Sequence, residues 1–277
     1  DLYGPEIFDQ FTRYLLQIQA VDYPVHLEME TGMNRLGFSK EELPPMLEAL
    51  KHYARPGVER KPLFRVRSIY SHLAASEDAA FDEFTLGQFA RFESMTVEVE
   101  AALGYPVLKH ITNSSGTSRY NGFGLDMVRI GIGLYGVDPG MDGKADLKEV
   151  STLKTTVAQI KHLKAGDTVG YGRRGKLTAD TTVATVRIGY ADGYTRKLGN
   201  RVGQMLVKGQ RAPVLGTVSM DMTMIDITGI SGVEVGDEVT VFGSGLSVKE
   251  VAMQADTIPY EILTSVSQRV KRVYFEE

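Results

Sequence analysis

The chain of 277 residues contains no cysteine, and it has no apolar run close to the ~20 residues that span a bilayer. The absence of cysteine excludes disulfides, a thiolate nucleophile and zinc sites of the thiolate kind. The first ten residues, DLYGPEIFDQ, lack the basic-then-apolar order of a signal peptide. We therefore expect a cytoplasmic protein that has no membrane partner.

Neither sign of charge is in large excess, since the net charge is −4 and the pI is near 5.8. Such a balance gives no electrostatic reason to expect nucleic acid as a partner. The hydrophobic content of 43% and the charged content of 24% are typical of a globular protein, and the length is sufficient for two units. We assign no metal ligands from the sequence.

The first half of the chain alternates helical with strand-like patterns, which predicts a parallel α/β architecture. The predicted helices cover about 6–20, a segment that opens with the capping box Ser39/Glu42 and runs to Tyr53, and about 81–103. The predicted strands cover 24–30, 64–72, a short run from 107, and 127–134. These four strands are half of the eight that a closed (β/α)8 barrel needs. A half barrel on its own would leave an open sheet edge in water.

From about residue 151 the pattern changes to short strand-like runs separated by glycine-bearing turns, which predicts a separate β domain. The predicted strands are 153–163, 182–188, 204–207, 212–218, 222–227, 238–242 and 269–275, with helices at 247–255 and 259–267. Residues 138–150, DPGMDGKADLKEV, are polar and contain glycine, as linkers do.

Chemistry in parallel sheets gathers at the carboxyl ends of strands. The polar residues at such positions are Thr31, Arg35, His72, Asn113, Ser114 and Arg129. A strand buried on both faces tolerates no unpaired charge, so Arg129 either is paired or faces a group that needs a donor. Ser114, Gly131 and the backbone N–H of Ile132 would make a phosphate cradle. The alternative is a core arginine beside two packing glycines.

Several phrases of the chain resemble alanine racemases, in the order of that family and over nearly the whole length. They are HITNSS and DMVRIGIGLYG within 110–136, VHLEMETGMNRLG at 25–37, VGYG at 169–172, IGYADG at 188–193, VSMD at 218–221 and IPYE at 258–261. The resemblance implies the second half of a (β/α)8 barrel that binds pyridoxal phosphate (PLP), over 1–145, and a mostly β domain over 146–277. It also implies exchange of L- and D-alanine by two bases, which supplies D-alanine for peptidoglycan.

By the same resemblance, residues take on roles at the site. Arg129 would face the pyridine nitrogen of PLP, Arg35 its phenolic oxygen, Tyr171 would be a catalytic base, and His72 would hydrogen-bond that tyrosine. The remaining implied contacts are Ser114, Gly131, Ile132, Asn113, His110 and Tyr260 for the cofactor, and Met220, Asp221, Tyr190 and Arg35 for the substrate. Each has a structural alternative: His72 as a satisfied core histidine, Tyr171 as an exposed turn residue, and the other tyrosines as packing residues.

The chain departs from the family pattern at two points. Glu28 stands where the family usually has a lysine that becomes carbamylated, and glutamate is already an anion, so we predict a contact between Glu28 and Arg35, direct or through one water or ion. No lysine lies in the family's Lys-Ala-x-Ala-Tyr-Gly-x-Gly surroundings, so the Schiff-base lysine is missing and we expect the fragment to be inactive alone. The active form would be a homodimer in which Tyr171 serves the partner's barrel.

Two other readings stay open. One is another PLP barrel enzyme, a racemase of a different amino acid or a basic-amino-acid decarboxylase; Arg129 opposes the latter, because such decarboxylases place a carboxylate at the ring nitrogen. The other is a structural or dimerising module of a larger polypeptide. The sequence as a whole, and its ending SVSQRVKRVYFEE, resemble the racemase half of fusions to UDP-N-acetylmuramoyl-tripeptide:D-alanyl-D-alanine ligase.

Overall fold

The computed structural model describes residues 1–57, 61–120, 122–138 and 147–275. The chain divides into two compact units, Asp1–Leu147 and Lys148–Glu277. Among the described residues, no helix is both long enough and apolar enough to cross a membrane.

The first unit is built on a parallel sheet with the strand order β1-β2-β3. Its strands are β1 (Tyr23–Glu28), β2 (Phe64–Tyr70) and β3 (Leu108–His110). Its helices are α1 (Pro5–Gln17), α2 (Leu43–Tyr53), α3 (Asp82–Leu103) and α4 (Ser114–Arg119). Parallel neighbours need a crossover, and α2 and α3 supply it between successive strands. The predicted α/β alternation is therefore observed in this unit.

The core of the first unit lies where these helices pack against the sheet. Phe8 of α1 meets Phe38 and Phe64 edge to face, with ring centroids 6.0 and 5.7 Å apart. Leu27 of β1 and Leu50 of α2 are fully buried in the same cluster. The packing fixes the strands firmly, so the loops at their carboxyl ends start from defined positions.

The predicted fourth strand, 127–134, is wrong. This segment makes single backbone bonds to β3 and the residues after it, from Asp126 N–H to the Lys109 carbonyl (3.1 Å) and from Arg129 N–H to the Thr112 carbonyl (3.0 Å). It then turns into a 3-10 helix at Ile132–Tyr135. The amides of Gly131 and Gly133 donate to the Ser114 hydroxyl oxygen instead of to a strand.

The start of α2 also differs from the prediction. Ser39 N–H donates to the Glu42 carboxylate at 2.8 Å, which is one half of a capping box, but the helix begins only at Leu43. Residues 40–42 form a turn ahead of it. Pro44 and Pro45 follow directly, and proline is best tolerated in the first turn of a helix, where no amide is needed.

The second unit is a closed barrel with the strand order β10-β7-β4-β11-β8-β9, in which all pairs are antiparallel. Its strands are β4 (Leu153–Leu163), β7 (Thr181–Val186), β8 (Gln204–Val207), β9 (Gln210–Leu215), β10 (Thr223–Asp226) and β11 (Glu238–Phe242). A small antiparallel pair, β5 (Thr168–Val169) and β6 (Gly175–Lys176), and the helices α5 (Val248–Gln254) and α6 (Pro259–Ser265) complete it.

Closure of the barrel removes the free sheet edges that a flat sheet of this size would leave. The prediction of a β domain is confirmed in character, but its last strand, 269–275, is wrong, because this segment has no strand structure. Instead, the Arg272 guanidinium donates to the carbonyls of Val266, Ser267 and Val270 in its own segment.

Candidate active site

Three residues at the carboxyl ends of the parallel strands lie side by side. The register pairs Glu28 with Tyr70 and Tyr70 with His110. The Tyr70 hydroxyl donates to Glu28 Oε2 at 3.2 Å, and the Tyr70 ring stacks on His110 with centroids 5.2 Å apart and planes 2° apart. Burial, together with the Glu28 charge, raises the pKa of Tyr70 to about 12. Tyr70 is therefore a neutral donor at pH 7.

Arg129 is the cation of this cluster. Its Nη1 donates to His110 Nδ1 at 2.6 Å and to the His110 carbonyl at 3.1 Å, and its Nη2 donates to the Ser71 carbonyl. The guanidinium carbon lies 5.2 Å from the centre of the Tyr70 ring, within cation–π range. Burial lowers the pKa of Arg129, but an arginine stays protonated at neutral pH. Arg129 is therefore paired, with the neutral partners His110 and Ser71, while its contact with a ligand that needs a donor stays a prediction.

The direction of these bonds fixes the protonation of His110. A guanidinium has no acceptor, so Nδ1 of His110 must accept and its Nε2 carries the hydrogen. That Nε2 lies 2.9 Å from Ser68 Oγ, which in turn lies 2.6 Å from His26 Nδ1. Burial, reinforced by the Arg129 charge, lowers the pKa of His110 to about 4. His110 is therefore a neutral relay between Arg129 and Ser68.

His72, the residue after β2 and Ser71, also meets the arginine. Its Nδ1 lies 3.4 Å from Arg129 Nη2. Burial, then the charges of Arg129 and Arg35, lower the pKa of His72 to about 4. Because the guanidinium can only donate, Nδ1 of His72 accepts, and Nε2 of the neutral imidazole carries the hydrogen and can donate to an incoming acceptor.

The direct contact predicted between Glu28 and Arg35 is wrong. Neither an ion pair nor a hydrogen bond joins the two in the part of the chain that the structure describes. Glu28 is 6% exposed and its carboxylate accepts from Tyr70, whereas Arg35 is exposed in the loop that follows β1. The shorter stem of glutamate keeps its carboxylate against the neighbouring strand. A contact through a water or an ion stays a prediction.

Ser114 organises the segment after Arg129. Its Oγ accepts from Gly131 N–H at 3.0 Å and from Gly133 N–H at 3.2 Å. Asn113 caps the turn of α4, because its Oδ1 accepts from Gly116 N–H at 2.9 Å and from Ser76 Oγ at 2.8 Å. A Cβ on Gly131 would meet no heavy atom within 4 Å, so open space lies against this backbone. The structure thus brings Ser114, Gly131 and Ile132 together, as the sequence suggested, while their contact with a phosphate stays a prediction.

In the second unit, Tyr171 stands in a 3-10 turn between β5 and β6, directly after Gly170 with φ 76°. Its side chain is 73% exposed. It lines a groove of about 470 Å³ together with Ser219 and Met224. The turn between β5 and β6 therefore places this tyrosine at the surface, where it can reach a ligand or another chain.

Three of the predicted substrate residues, Tyr190, Met220 and Asp221, lie on two loops of the second unit that are bonded to each other. Tyr190 N–H donates to the Ser219 carbonyl and Ala191 N–H donates to the Met220 carbonyl, both at 3.0 Å. Across these loops, the Arg269 guanidinium donates to Asp192 at 2.8 Å and to Asp221 at 2.5 Å. Tyr190, Met220 and Tyr260 are each about half exposed. Tyr260 lies on α6, in the same unit.

Sequence reasoning missed Tyr70, Ser68 and His26. Their role depends on the register of neighbouring strands, and parallel register is not legible from hydrophobic periodicity. One signal was present: Tyr70 and Ser68 alternate along β2, two and four residues ahead of His72.

Two family models match the chain. The model "Alanine racemase, N-terminal domain" matches residues 3–139, and "Alanine racemase, C-terminal domain" matches residues 150–274. The alanine racemase of Clostridium tetani is 35% identical over 283 residues, which cover 100% of this chain and 71% of that protein. The chain belongs to the alanine racemase family. The resemblance seen in the sequence is confirmed.

Further relatives and solved structures that resemble this chain are also alanine racemases. The alanine racemase of Desulfosudis oleivorans is 40% identical over 261 residues, which cover 90% of this chain and 66% of that protein. The alanine racemase of Streptomyces coelicolor A3(2) has a TM-score of 0.88 at 30% identity, covering 100% of this chain and 72% of that one. The Bartonella henselae enzyme, solved with covalently bound pyridoxal phosphate, has a TM-score of 0.85 at 31% identity, with coverages of 96% and 70%. The chain spans about 66% of the length of the curated relatives that match it first.

Proposed function

We propose that this protein acts in the interconversion of L- and D-alanine with pyridoxal phosphate as cofactor, in the cytoplasm, supplying D-alanine for peptidoglycan. The observation that carries the proposal is the place of Arg129, held by His110 and Ser71 at the ends of parallel strands. Family membership across both units supports it, as does the cofactor named for the Bartonella henselae relative. We further propose that the parallel strands of the first unit are part of a (β/α)8 barrel.

The residues of the first unit fit the cofactor. Ser114 offers a hydroxyl hydrogen and Ile132 a backbone amide, and open space lies against Gly131, whose own amide donates to Ser114 Oγ; this arrangement suits a phosphate group. Asn113 and His110 fix the positions of Ser114 and Arg129, and Tyr260 is proposed as a further contact from the second unit. When bound, the cofactor supplies an electron sink for the α-carbon of the amino acid.

Arg129 decides how strong that sink is. It is proposed to face the ring nitrogen of the cofactor and to donate a hydrogen bond without giving up its proton, since a guanidinium stays protonated at neutral pH. A neutral ring nitrogen weakens the sink. Exchange of one proton at the α-carbon is then favoured over loss of the carboxylate.

Tyr171 is proposed to remove or return the α-proton on one face of the substrate. An unperturbed phenol has a pKa of about 10, so it needs a partner that favours the phenolate. His72 is the proposed partner, because its neutral imidazole accepts from Arg129 at Nδ1 and therefore keeps a hydrogen on Nε2 that it can donate to the phenolate. Met220 N–H, Asp221, Tyr190 and Arg35 are proposed to hold the substrate carboxylate and its surroundings.

A direct assay tests the activity. A form of the protein that carries the Schiff-base lysine, which we expect to be missing from these 277 residues, is incubated with pyridoxal phosphate and L-alanine. D-alanine is then measured with a D-amino-acid oxidase. Replacing Arg129→Glu puts an anion where the ring nitrogen needs a donor, so racemisation should fall by about 100-fold or more. Arg13→Ala, which removes an exposed pair with Asp9 on α1, should leave it unchanged. Absence of D-alanine in the wild-type reaction would refute the proposal.

A second assay tests the proposed homodimer with shared sites. Tyr171→Phe and Arg129→Glu chains are each expected to be inactive alone. Co-expressed, they form mixed dimers in which one site carries both changes and the other carries none. Random pairing should then restore about a quarter of the wild-type activity. No recovery would show that each chain builds its site from its own residues.

A further inference from the structure

Helix α3 presses one face against the loop that carries Arg35. Phe84, Gln88 and Arg91 are spaced by four and three residues and therefore share a face of the helix. Gly32, at φ 139°, lies against them: a Cβ there would come within 2.9 Å of Phe84 Cζ, 3.1 Å of Arg91 Nη2 and 3.5 Å of Gln88 Cγ. The loop thus approaches the helix as closely as its backbone allows.

Gln88 is fully buried, and both ends of its amide are used. Its Oε1 accepts from Ala74 N–H at 2.9 Å. Its Nε2 donates to the His72 carbonyl at 3.0 Å and to Thr31 Oγ1 at 3.2 Å. The Gln88 side chain therefore bonds to the backbone on both sides of Leu73 and to the Thr31 side chain in the loop that carries Arg35.

Two further bonds close this arrangement. The hydroxyl oxygens of Thr31 and Ser71 lie 2.7 Å apart, and Arg91 Nε donates to the Thr31 carbonyl at 2.7 Å. Thr31 and Ser71 are both 2% exposed. The link between the two loops is therefore shielded from water, where a lost hydrogen bond costs most.

We propose that Gln88 is a positioning residue that sets the separation between the loop bearing Arg35 and the segment bearing His72. The inference rests on the proposed function in so far as Arg35 and His72 act in the reaction. An amide suits the task because it supplies a donor and an acceptor at once, whereas a carboxylate cannot donate and an apolar side chain does neither. The charged groups that act on His72 are Arg129 and Arg35. Moving either loop changes what the imidazole faces.

The test compares Gln88→Met and Gln88→Glu with Thr96→Val. Thr96 lies on the same helix, is 2% exposed, and donates only to Phe92 of its own helix at 2.7 Å, so its replacement is a matched loss of a buried polar group. The ring protons of His72 are followed by NMR over pH, assigned through His72→Gln. In Gln88→Met we expect the His72 midpoint to rise by about one pH unit as the loops separate and water enters. Gln88→Glu should raise it further, since a carboxylate favours the imidazolium.

Amide hydrogen exchange is the second readout. Exchange should accelerate by about 10-fold or more at residues 31–37 and 72–76 in the Gln88 variants, and not in Thr96→Val. An unchanged His72 midpoint, or acceleration spread evenly over the whole sheet, would overturn the proposal. If Gln88→Met does not fold, Thr31→Val breaks the same link from the loop side while Gln88 keeps its bonds to His72 and Ala74.

Kinetics of the intact, PLP-loaded protein complete the test. Gln88→Met should lower kcat by about 10- to 100-fold, with a smaller change in KM for alanine, because the proton-handling groups move rather than the bulk of the pocket. An unaltered kcat would contradict the positioning role. A wild-type protein that does not racemise alanine would refute the proposed function instead, and the titration and exchange results would still decide the role of Gln88.

Discussion

Tyr70 and His110 stack across neighbouring strands, with ring centroids 5.2 Å apart and ring planes nearly parallel. The parallel register places them opposite each other, and Glu28 on β1 continues the row on the other side of Tyr70. Each member has a different partner: Tyr70 donates to Glu28, and His110 accepts from Arg129. The row thus connects a buried anion and a cation through two neutral rings. It determines where Arg129 can lie.

Tyr70→Phe should destabilise the first unit by about 1–3 kcal/mol, because the buried Glu28 carboxylate loses its hydrogen-bond donor. Urea unfolding measures the free energy. In a double-mutant cycle, adding Glu28→Leu to Tyr70→Phe should recover part of the loss, since no unpaired charge remains. A loss in the double variant equal to the sum of the two single losses would mean that the bond contributes nothing.

Stability should fall as the pH is lowered from about 6.5 to about 4. His110 and His72 have folded-state pKa values lowered from 6.5 to about 4, so in this window the unfolded chain binds protons that the folded chain does not. Each such proton lowers the free energy of unfolding by about 1.4 kcal/mol per pH unit at most. Urea unfolding at pH 7 and pH 5 measures the difference. His110→Gln should reduce it, and His52→Gln at an exposed position should not.

Gly189→Ala should destabilise the second unit by about 1–3 kcal/mol. Its backbone is extended, so the penalty comes from space: a Cβ would collide with the carbonyl oxygens of Ser219 and Met220. The loops that carry Tyr190 and Met220 would have to separate. Gly229→Ala is the control, because a Cβ there meets no heavy atom within 4 Å and should change stability by less than about 0.5 kcal/mol. Equal effects of the two replacements would contradict the close approach.

Arg269→Lys should loosen the same loops without unfolding the unit. The forked guanidinium reaches Asp192 and Asp221 at the same time, whereas the single, compact ammonium of lysine can pair with only one of them. Amide exchange at residues 190–193 and 219–221 should accelerate, more so at high salt. Arg211→Lys, which alters an ion pair with Glu250 elsewhere in the unit, should leave these amides unaffected. Unchanged exchange in Arg269→Lys would show that the backbone bonds alone hold the loops.

Local patterns accounted for much of the fold. The strands Leu153–Leu163, Gln204–Val207 and Glu238–Phe242 have the bounds that the sequence predicts, because hydrophobic runs there are interrupted by clear turn residues. Residues 127–134 and 269–275 carry strand-like composition too, but they have no strand structure. Composition alone cannot show whether a neighbouring edge is free to pair.

The sequence by itself determined the family, the order of most helices and strands, and which polar residues stand at strand ends, because each of these depends on residues close together in the chain. The tertiary structure decided who pairs with whom. Arg129 needed a partner by its charge, but only the register of three strands supplied His110 and Ser71. Glu28 was predicted to contact Arg35, but its carboxylate accepts a hydrogen bond from Tyr70 on the adjacent strand instead, since a short side chain bonds to the nearest buried donor. These partners, separated by 19 to 58 residues along the chain, are set by packing, which no local pattern encodes.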